Sequence, residues 1–194
     1  MRAGTEARPR RTQADRRAQT RGALLEAAAR GLSRHGYGNL VLERVAAEAG
    51  YSRGALYHLF AGKEDLALAV VEWVERTWYE EMGPLIEGVD DPVEALIGVV
   101  RGHAVYCRRD VARVMMTLRV EFGDQDHPVG RAVDAAVRRV VRDCTKLLAA
   151  ARKQGAIPPG PSPRLLGVAV VGAVEGLVIG LAGKAPYDEL LAER

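Results

Sequence analysis

The stretch from Leu42 to Lys63, LERVAAEAGYSRGALYHLFAGK, constrains the fold of this chain more than any other part of its sequence. Apolar and small residues recur at helical spacing on both sides of Gly50, which marks a tight turn between two short helices. Ser52 stands where the second helix needs an N-cap. The pattern is typical of a helix-turn-helix, a motif whose second helix lies in the major groove of DNA.

Positive charge is concentrated in the first third of the chain. Residues 1–63 hold 12 Lys/Arg and 5 Asp/Glu, whereas residues 64–194 hold 16 and 20, for a net charge of +3. A basic N-terminal part on a mildly acidic remainder favours a polyanionic partner. We therefore predict a basic flexible arm over residues 1–16, a DNA-binding domain over 17–62 and a helical regulatory and dimerisation domain over 63–194.

Helical periodicity continues through the rest of the chain, and no segment alternates like a strand, so we expect an all-α fold. An N-terminal three-helix helix-turn-helix domain would precede a C-terminal helical domain for ligand binding and dimerisation. The expected helices cover residues 17–35, 42–49, 53–60, 63–82, 93–106, a sixth ending near 122, 128–154 and 164–183.

The last two expected helices have patterns that favour packing against a second chain. Apolar residues within 128–154 recur at alternating steps of four and three, as in a coiled coil. Glycines within 164–183 are four residues apart and form a stripe that allows helices to approach closely. We expect a homodimer built as a four-helix bundle. The residues assigned to its interface are Val137, Val140, Cys144, Leu147, Gly172, Gly176 and Gly180.

A membrane span is the alternative reading of residues 165–183, which are apolar on almost every side. Glu175 at the centre of this stretch opposes insertion by about 2.5–3.5 kcal/mol. We therefore expect a buried dimer helix and no membrane contact. The N-terminus lacks the apolar segment of an export signal, which predicts a cytoplasmic protein.

Patterns of enzymes and metal sites are missing from the sequence. It contains no Gly-x-Ser-x-Gly elbow, no phosphate-binding loop and no HExxH motif. Cys107 and Cys144 are far apart and lack the spacing of metal ligands. The four histidines show no ligand spacing among themselves; they are His35, His58, His103 and His127. We expect no catalysis, metal or cofactor.

Residues 20–66 resemble the DNA-binding domain of the TetR family of one-component transcriptional regulators. The resemblance lies in Thr20-Arg21, Gly36-Tyr37, Val45-Ala46, Ala49-Gly50, Gly54-Ala55-Leu56-Tyr57, Phe60, Lys63 and Leu66. The later Glu175-Gly176-Leu177 is similar to the dimer helix of that family.

The resemblance implies which residues meet DNA. Phosphate contacts would fall on Tyr57, His58 and Lys63, with Ser52 capping the recognition helix. Arg53 would bind a base edge, since Arg can form two parallel hydrogen bonds with guanine, and Ala55 could touch only a thymine methyl. The full set of predicted DNA-binding residues is Ser52, Arg53, Ala55, Tyr57, His58, Lys63, Arg44 and Arg21.

The chain departs from the family just before the second helix. Leu40-Val41 replaces the usual Thr or Ser, which removes a common helix cap and phosphate contact. Two replacements are open: Asn39 caps the helix, or Arg44 takes over the phosphate.

Large apolar and sulfur-containing side chains in the C-terminal part suit a cavity for a lipophilic compound, although ordinary core packing explains each of them equally well. Glu175 could also meet a cationic ligand. The candidate pocket residues are Trp73, Trp78, Met82, Tyr106, Met115, Met116, Phe122 and Glu175.

The resemblance implies a regulator that responds to a ligand. We expect a repressor that binds a palindromic operator as a homodimer and is released when a small, lipophilic ligand tilts the fourth helix. The alternative is a ligandless architectural DNA-binding protein, which would have no enclosed cavity.

Overall fold

The computed structural model describes residues 12–109, 113–123 and 125–181, the last three by their backbone only. Most of the predicted arm, residues 1–11, lies outside this range. Residues 12–16 were assigned to the arm, but the first helix already begins there. Thr12 and Asp15 form a capping box, in which each side chain accepts a hydrogen bond from the other's backbone N–H.

The described residues form eight helices and no strand, which confirms the predicted all-α class. The helices are α1 Gln13–His35, α2 Leu42–Glu48, α3 Arg53–Leu59, α4 Lys63–Ile86, α5 Pro92–Tyr106, α6 Val114–Phe122, α7 Pro128–Lys153 and α8 Pro163–Leu181. We call α1–α3 the head and α4–α8 the body.

Local sequence signals explain most of the helix ends. Gly36 ends α1 with a φ of 73°, a conformation that favours glycine, and its N–H donates to Leu32 O. Asp91 caps α5 ahead of Pro92. The predicted end of α4 at residue 82 is wrong, because α4 continues through Pro84 to Ile86. A proline removes only its own N–H and obstructs the preceding turn, so the last turn can still form after it.

A single hydrophobic core runs through head and body. In α1, Leu24, Leu25 and Leu32 are at most 1% exposed, and they belong to the same buried cluster as residues of α3, α4, α6 and α7. Each fully buried leucine contributes about 1.5–3 kcal/mol to folding. The hydrophobic core is therefore not interrupted at the boundary predicted at residue 62.

Helix α8 lies against α7 on one side and presents an apolar face on the other. A Cβ at Gly167 would lie 2.6 Å from Thr145 Oγ1 and 3.1 Å from Val141 O, so this contact requires glycine. On the opposite side Leu165, Val168 and Leu177 are about half exposed. Of the helices described, none combines the length and the hydropathy needed to cross a membrane.

Candidate DNA-binding surface and ligand cavity

Helix α3 is held on the core by one side and is exposed on the other. Ser52 Oγ accepts a hydrogen bond from Ala55 N at 3.2 Å and caps the helix. Leu56 is fully buried, whereas Arg53, Tyr57 and His58 are exposed. A helix fixed in this way can present its outer side chains to a groove of DNA without rearrangement.

Arg53 already has neighbours in the free chain. Its Nε lies 3.1 Å from Glu43 Oε1 of α2, and its Cζ is 5.3 Å from the centre of the Tyr57 ring. Because the Arg53 side chain remains 67% exposed, this ion pair stabilises the head by at most about 1 kcal/mol. The contact engages Nε, and the contact of Arg53 with a guanine edge stays a prediction.

Two other predicted DNA contacts also hold the head together. Lys63 Nζ donates to Gly38 O at 2.8 Å and lies 4.7 Å from the centre of the Tyr37 ring. Arg21 Cζ lies 5.5 Å from the centre of the Phe60 ring. These structural contacts could not be read from the sequence, because each joins separate elements of the chain.

Leu40 and Val41, which replace the usual Thr or Ser of the family, lie just before α2. Leu40 is buried, while Val41 occupies the N-cap of α2 and makes no side-chain capping bond. Asn39 Nδ2 instead donates to His35 O at 3.1 Å, so Asn39 closes α1 and does not cap α2. The prediction that Asn39 caps α2 is therefore wrong. Arg44 is exposed on α2, and its contact with a phosphate stays a prediction.

A junction between head and body was missed at the sequence level. Glu121 Oε2 and Oε1 accept hydrogen bonds from Tyr37 N at 2.6 Å and Gly38 N at 2.7 Å. Phe122 stacks on His127 with ring centres 4.3 Å apart, and Tyr37 contacts both rings edge-on. The partners are about 84 residues apart in sequence, so no local pattern could indicate them.

The body contains a cavity of about 90 Å³ among α4, α5, α6, α7 and α8. Five of the predicted pocket residues line it: Trp78, Tyr106, Met115, Met116 and Glu175. A neighbouring cavity of about 260 Å³ is lined by Met82 and shares Trp78 and Val140 with the first.

Two predicted pocket residues line neither cavity. Trp73 is partly buried and packs against the core. Phe122 belongs to the junction described above. Their assignment rested on size and hydrophobicity, which do not distinguish a cavity wall from ordinary packing.

The α7 part of the predicted dimer interface borders the two cavities of its own chain. Val137 and Val140 line the first cavity, Leu147 lines the second, and Cys144 is only 3% exposed. Val137, Val140 and Leu147 are only partly buried in the single chain, so the contact of this seam with a partner stays a prediction. Gly172 and Gly176 are exposed, and a Cβ at either would meet nothing within 4 Å. The surroundings of Gly180 lie outside the described residues.

The charged groups in the wall of the first cavity are paired. Arg139 binds both carboxylate oxygens of Glu75, and Arg119 Nη1 donates to Glu175 Oε2 at 2.6 Å. A cationic ligand would therefore have to compete with Arg119 for the carboxylate of Glu175.

The uncharged polar groups in the wall form a short chain. Trp78 Nε1 donates to His103 Nδ1 at 3.0 Å, and His103 Nε2 lies 3.4 Å from Cys107 Sγ. Burial lowers the pKa of His103 to about 4 and raises the pKa of Cys107 to about 12, so both groups are neutral at pH 7. His103 and Cys107 were not predicted to line a cavity.

Comparisons with known proteins agree with this arrangement. The model of the family described as "Bacterial regulatory proteins, tetR family" matches residues 24–70. The transcriptional repressor AcnR of Corynebacterium glutamicum is 32% identical over 144 residues, which are 68% of this chain and 70% of AcnR. The regulator HbdR of Aromatoleum sp. is 26% identical over 125 residues, which are 59% of this chain but only 55% of HbdR.

The fold also matches a solved structure over nearly its full length. A gamma-butyrolactone receptor, described as an ArpA-like protein, is 28% identical with a TM-score of 0.70. The match covers 91% of this chain and 96% of the receptor.

The buried His103 makes stability depend on pH. Its pKa falls from 6.5 to about 4 on folding, so the unfolded chain binds the extra proton between these values and stability decreases as pH falls from about 6.5 to 4. Between pH 7 and pH 5 we expect a loss of about 2 kcal/mol from this group. Urea unfolding at both pH values measures it. His103→Gln should remove this part of the decrease, and an equal decrease in that variant would contradict the assignment.

Proposed function

This chain belongs to the tetR family of bacterial regulatory proteins, and we propose that it represses transcription by binding a palindromic operator as a homodimer, from which a small lipophilic ligand releases it. The observation that carries the proposal is a capped and exposed α3 on the same core as a body with an apolar cavity. AcnR is named as a repressor, and the matched receptor is named for a small molecule. Because a repressor acts on DNA, we also propose a cytoplasmic location.

The cavity distinguishes this proposal from its alternative. A ligandless architectural DNA-binding protein has no need of an empty space in its body, and voids lower the stability of a core. Here the cavity lies among five helices and its wall is formed mainly by apolar side chains. The known proteins that the chain resembles are transcriptional regulators and not enzymes.

The exposed face of α3 suits the major groove. Arg53 at the start of the helix would bind guanine, and Ala55 is small enough for close approach to a base. Tyr57 and His58 would bind the DNA backbone, which fixes position without reading sequence. In a homodimer, two such helices would lie about 34–36 Å apart, or a multiple of that, and would match two half-sites.

The outer face of α8 is the surface we assign to the dimer. Leu165, Val168 and Leu177 are exposed, and Gly172 and Gly176 leave open space beside them. A second copy of α8 could pack closely there, because glycine lets two helix backbones approach. The interface proposed here combines this face of α8 with the predicted seam of α7.

Helix α6 provides the route from cavity to head. Met115 and Met116 line the cavity, and Glu121 at the other end of α6 holds the turn after α1. Glu121 follows Met115 by six positions, which is about 9 Å along the helix axis. Helix α4 is bound to α5 and α7 through Glu75, Trp78 and Tyr79, so a ligand that displaces α6 gives a second route to the head beside the tilt of α4.

Selection of bound DNA from a random pool tests the main proposal. We expect a palindrome with a guanine at one position of each half-site. Arg53→Ala should weaken binding to that sequence by about 1–3 kcal/mol and relax the preference at that position alone. Arg44→Ala, a predicted phosphate contact, should instead weaken all sequences equally. A uniform effect of Arg53→Ala would remove its role in base recognition.

The dimer can be tested with one glycine. Gly176→Leu places a large side chain in the open stripe of α8, so we expect sedimentation velocity to show a shift from dimer to monomer. The control is Gly83→Leu in α4, where a Cβ also meets nothing within 4 Å. A dimer that survives in the α8 variant and the control alike would place the interface elsewhere.

The junction makes a separate prediction. Glu121→Gln replaces a carboxylate that accepts two backbone hydrogen bonds with an amide that offers only one acceptor oxygen, and we expect a loss of about 1–2 kcal/mol in stability. Amide hydrogen exchange at Tyr37 and Gly38 should become faster, and operator affinity should fall. Glu87→Gln, at the exposed end of α4, should change neither. Unchanged exchange at both amides would show that Glu121 does not hold the head.

A further inference from the structure

We propose that the ligand of the first cavity is an uncharged molecule with a carbonyl oxygen, and that Nε2–H of His103 donates a hydrogen bond to this oxygen. His103 would then be the residue that determines ligand specificity. The inference rests on the proposed function only in assuming that the cavity takes a ligand at all.

The direction of the hydrogen bond follows from Trp78. The indole N–H can only donate, and it lies 3.0 Å from His103 Nδ1, so Nδ1 must accept. A neutral imidazole has one proton, which therefore resides on Nε2. Trp78 thus fixes His103 as a hydrogen-bond donor on the side of Nε2.

The present partner of that donor is a poor one. Nε2 lies 3.4 Å from Cys107 Sγ, and thiol sulfur is a weak acceptor. Because burial raises the pKa of Cys107 to about 12, the sulfur stays protonated and does not become a thiolate at neutral pH. A ligand oxygen would give the Nε2–H a stronger acceptor than the one it has.

The charged side chains that line the cavity, Glu75 and Glu175, disfavour an ionised ligand because both are already paired. Glu75 and Glu175 are already bound by Arg139 and Arg119, and His103 is neutral because burial lowers its pKa to about 4. A carboxylate or ammonium group would lose its water and find no unpaired opposite charge in the wall. An uncharged polar group avoids this penalty.

In the free chain the first cavity is smaller than a benzene-sized ligand requires, so its wall has to move to admit one. At about 90 Å³ the space is smaller than the roughly 150 Å³ that hold benzene in an engineered apolar cavity. Val140 also borders the cavity of about 260 Å³, so a different rotamer of Val140 would connect the two spaces while Trp78 keeps its hydrogen bond to His103. Met115 and Met116 are flexible enough to adapt as well.

Four probes of nearly equal size and shape test separately whether the ligand needs a carbonyl oxygen and whether it must be uncharged. Acetophenone has a carbonyl, α-methylstyrene has a methylene group in its place, benzoate is an anion and benzamidinium is a cation. Binding to the full chain without DNA is followed by the fluorescence of Trp78 in a Trp73→Phe background. We expect acetophenone to bind about threefold to tenfold more tightly than α-methylstyrene, and both ions to bind at least tenfold more weakly than acetophenone.

His103→Phe should abolish the preference for acetophenone and leave the affinity for α-methylstyrene unchanged. His35→Phe, at the exposed end of α1, serves as the matched control and should keep the preference. Equal binding of the two neutral probes, tightest binding by an ion, binding by none of the four, or a preference that survives His103→Phe would overturn the proposal.

A second measurement does not depend on any variant. Nitrogen NMR of the native chain at pH 7 should show His103 protonated on Nε2 and unprotonated on Nδ1, and the opposite tautomer would overturn the proposal. Release of the selected operator by acetophenone is measured separately. Preferential binding without release would contradict the effector role of the cavity and leave the assignment of His103 intact.

Discussion

The packing of α1 against both α4 and α6 is the constraint on which the rest of the structure depends. Leu24, Leu25 and Leu32 bury one side of α1 in a cluster that extends from α3 to α7. Since interiors are packed as densely as organic crystals, α1 cannot shift relative to the body without disturbing many contacts. The position of α3, which rests on α1 and α2, is therefore set by the body, and a change in the body can reach the DNA-binding surface.

Features that depend on neighbours in sequence could be predicted, and features that depend on distant partners could not. Gly36 and Gly50 mark helix ends through their backbone conformation and Ser52 through its side-chain cap, so most helix ends of the head agree with the prediction. The role of Glu121 depends on two amides about 84 residues away. Nothing in the residues around Glu121 distinguishes it from a solvated carboxylate.

The apolar seam of α7 also shows that sequence spacing does not identify distant partners. The spacing of Val137, Val140 and Cys144 correctly indicates a helix with one apolar side, but it carries no information on which helix covers that side. Within the chain the seam borders two cavities, and Val137 and Val140 stay partly exposed, so a contact with a second chain stays a prediction. The glycines of α8 likewise have different environments that their spacing does not reveal. Gly167 permits contact with α7, whereas Gly172 and Gly176 face open space.

Structural contacts of Lys63 and Arg21 are compatible with their predicted contacts to phosphate, because different atoms serve the two roles. The ammonium group of Lys63 has three donors and uses one on Gly38 O, so it can still donate to a phosphate. The guanidinium of Arg21 lies over the face of Phe60, and this arrangement leaves its N–H groups at the edge for hydrogen bonds. Holding these cations in place before DNA arrives reduces the side-chain entropy lost on binding, which is about 0.5–1.5 kcal/mol for each flexible side chain. The contacts that stabilise the head thus also prepare its charges for DNA.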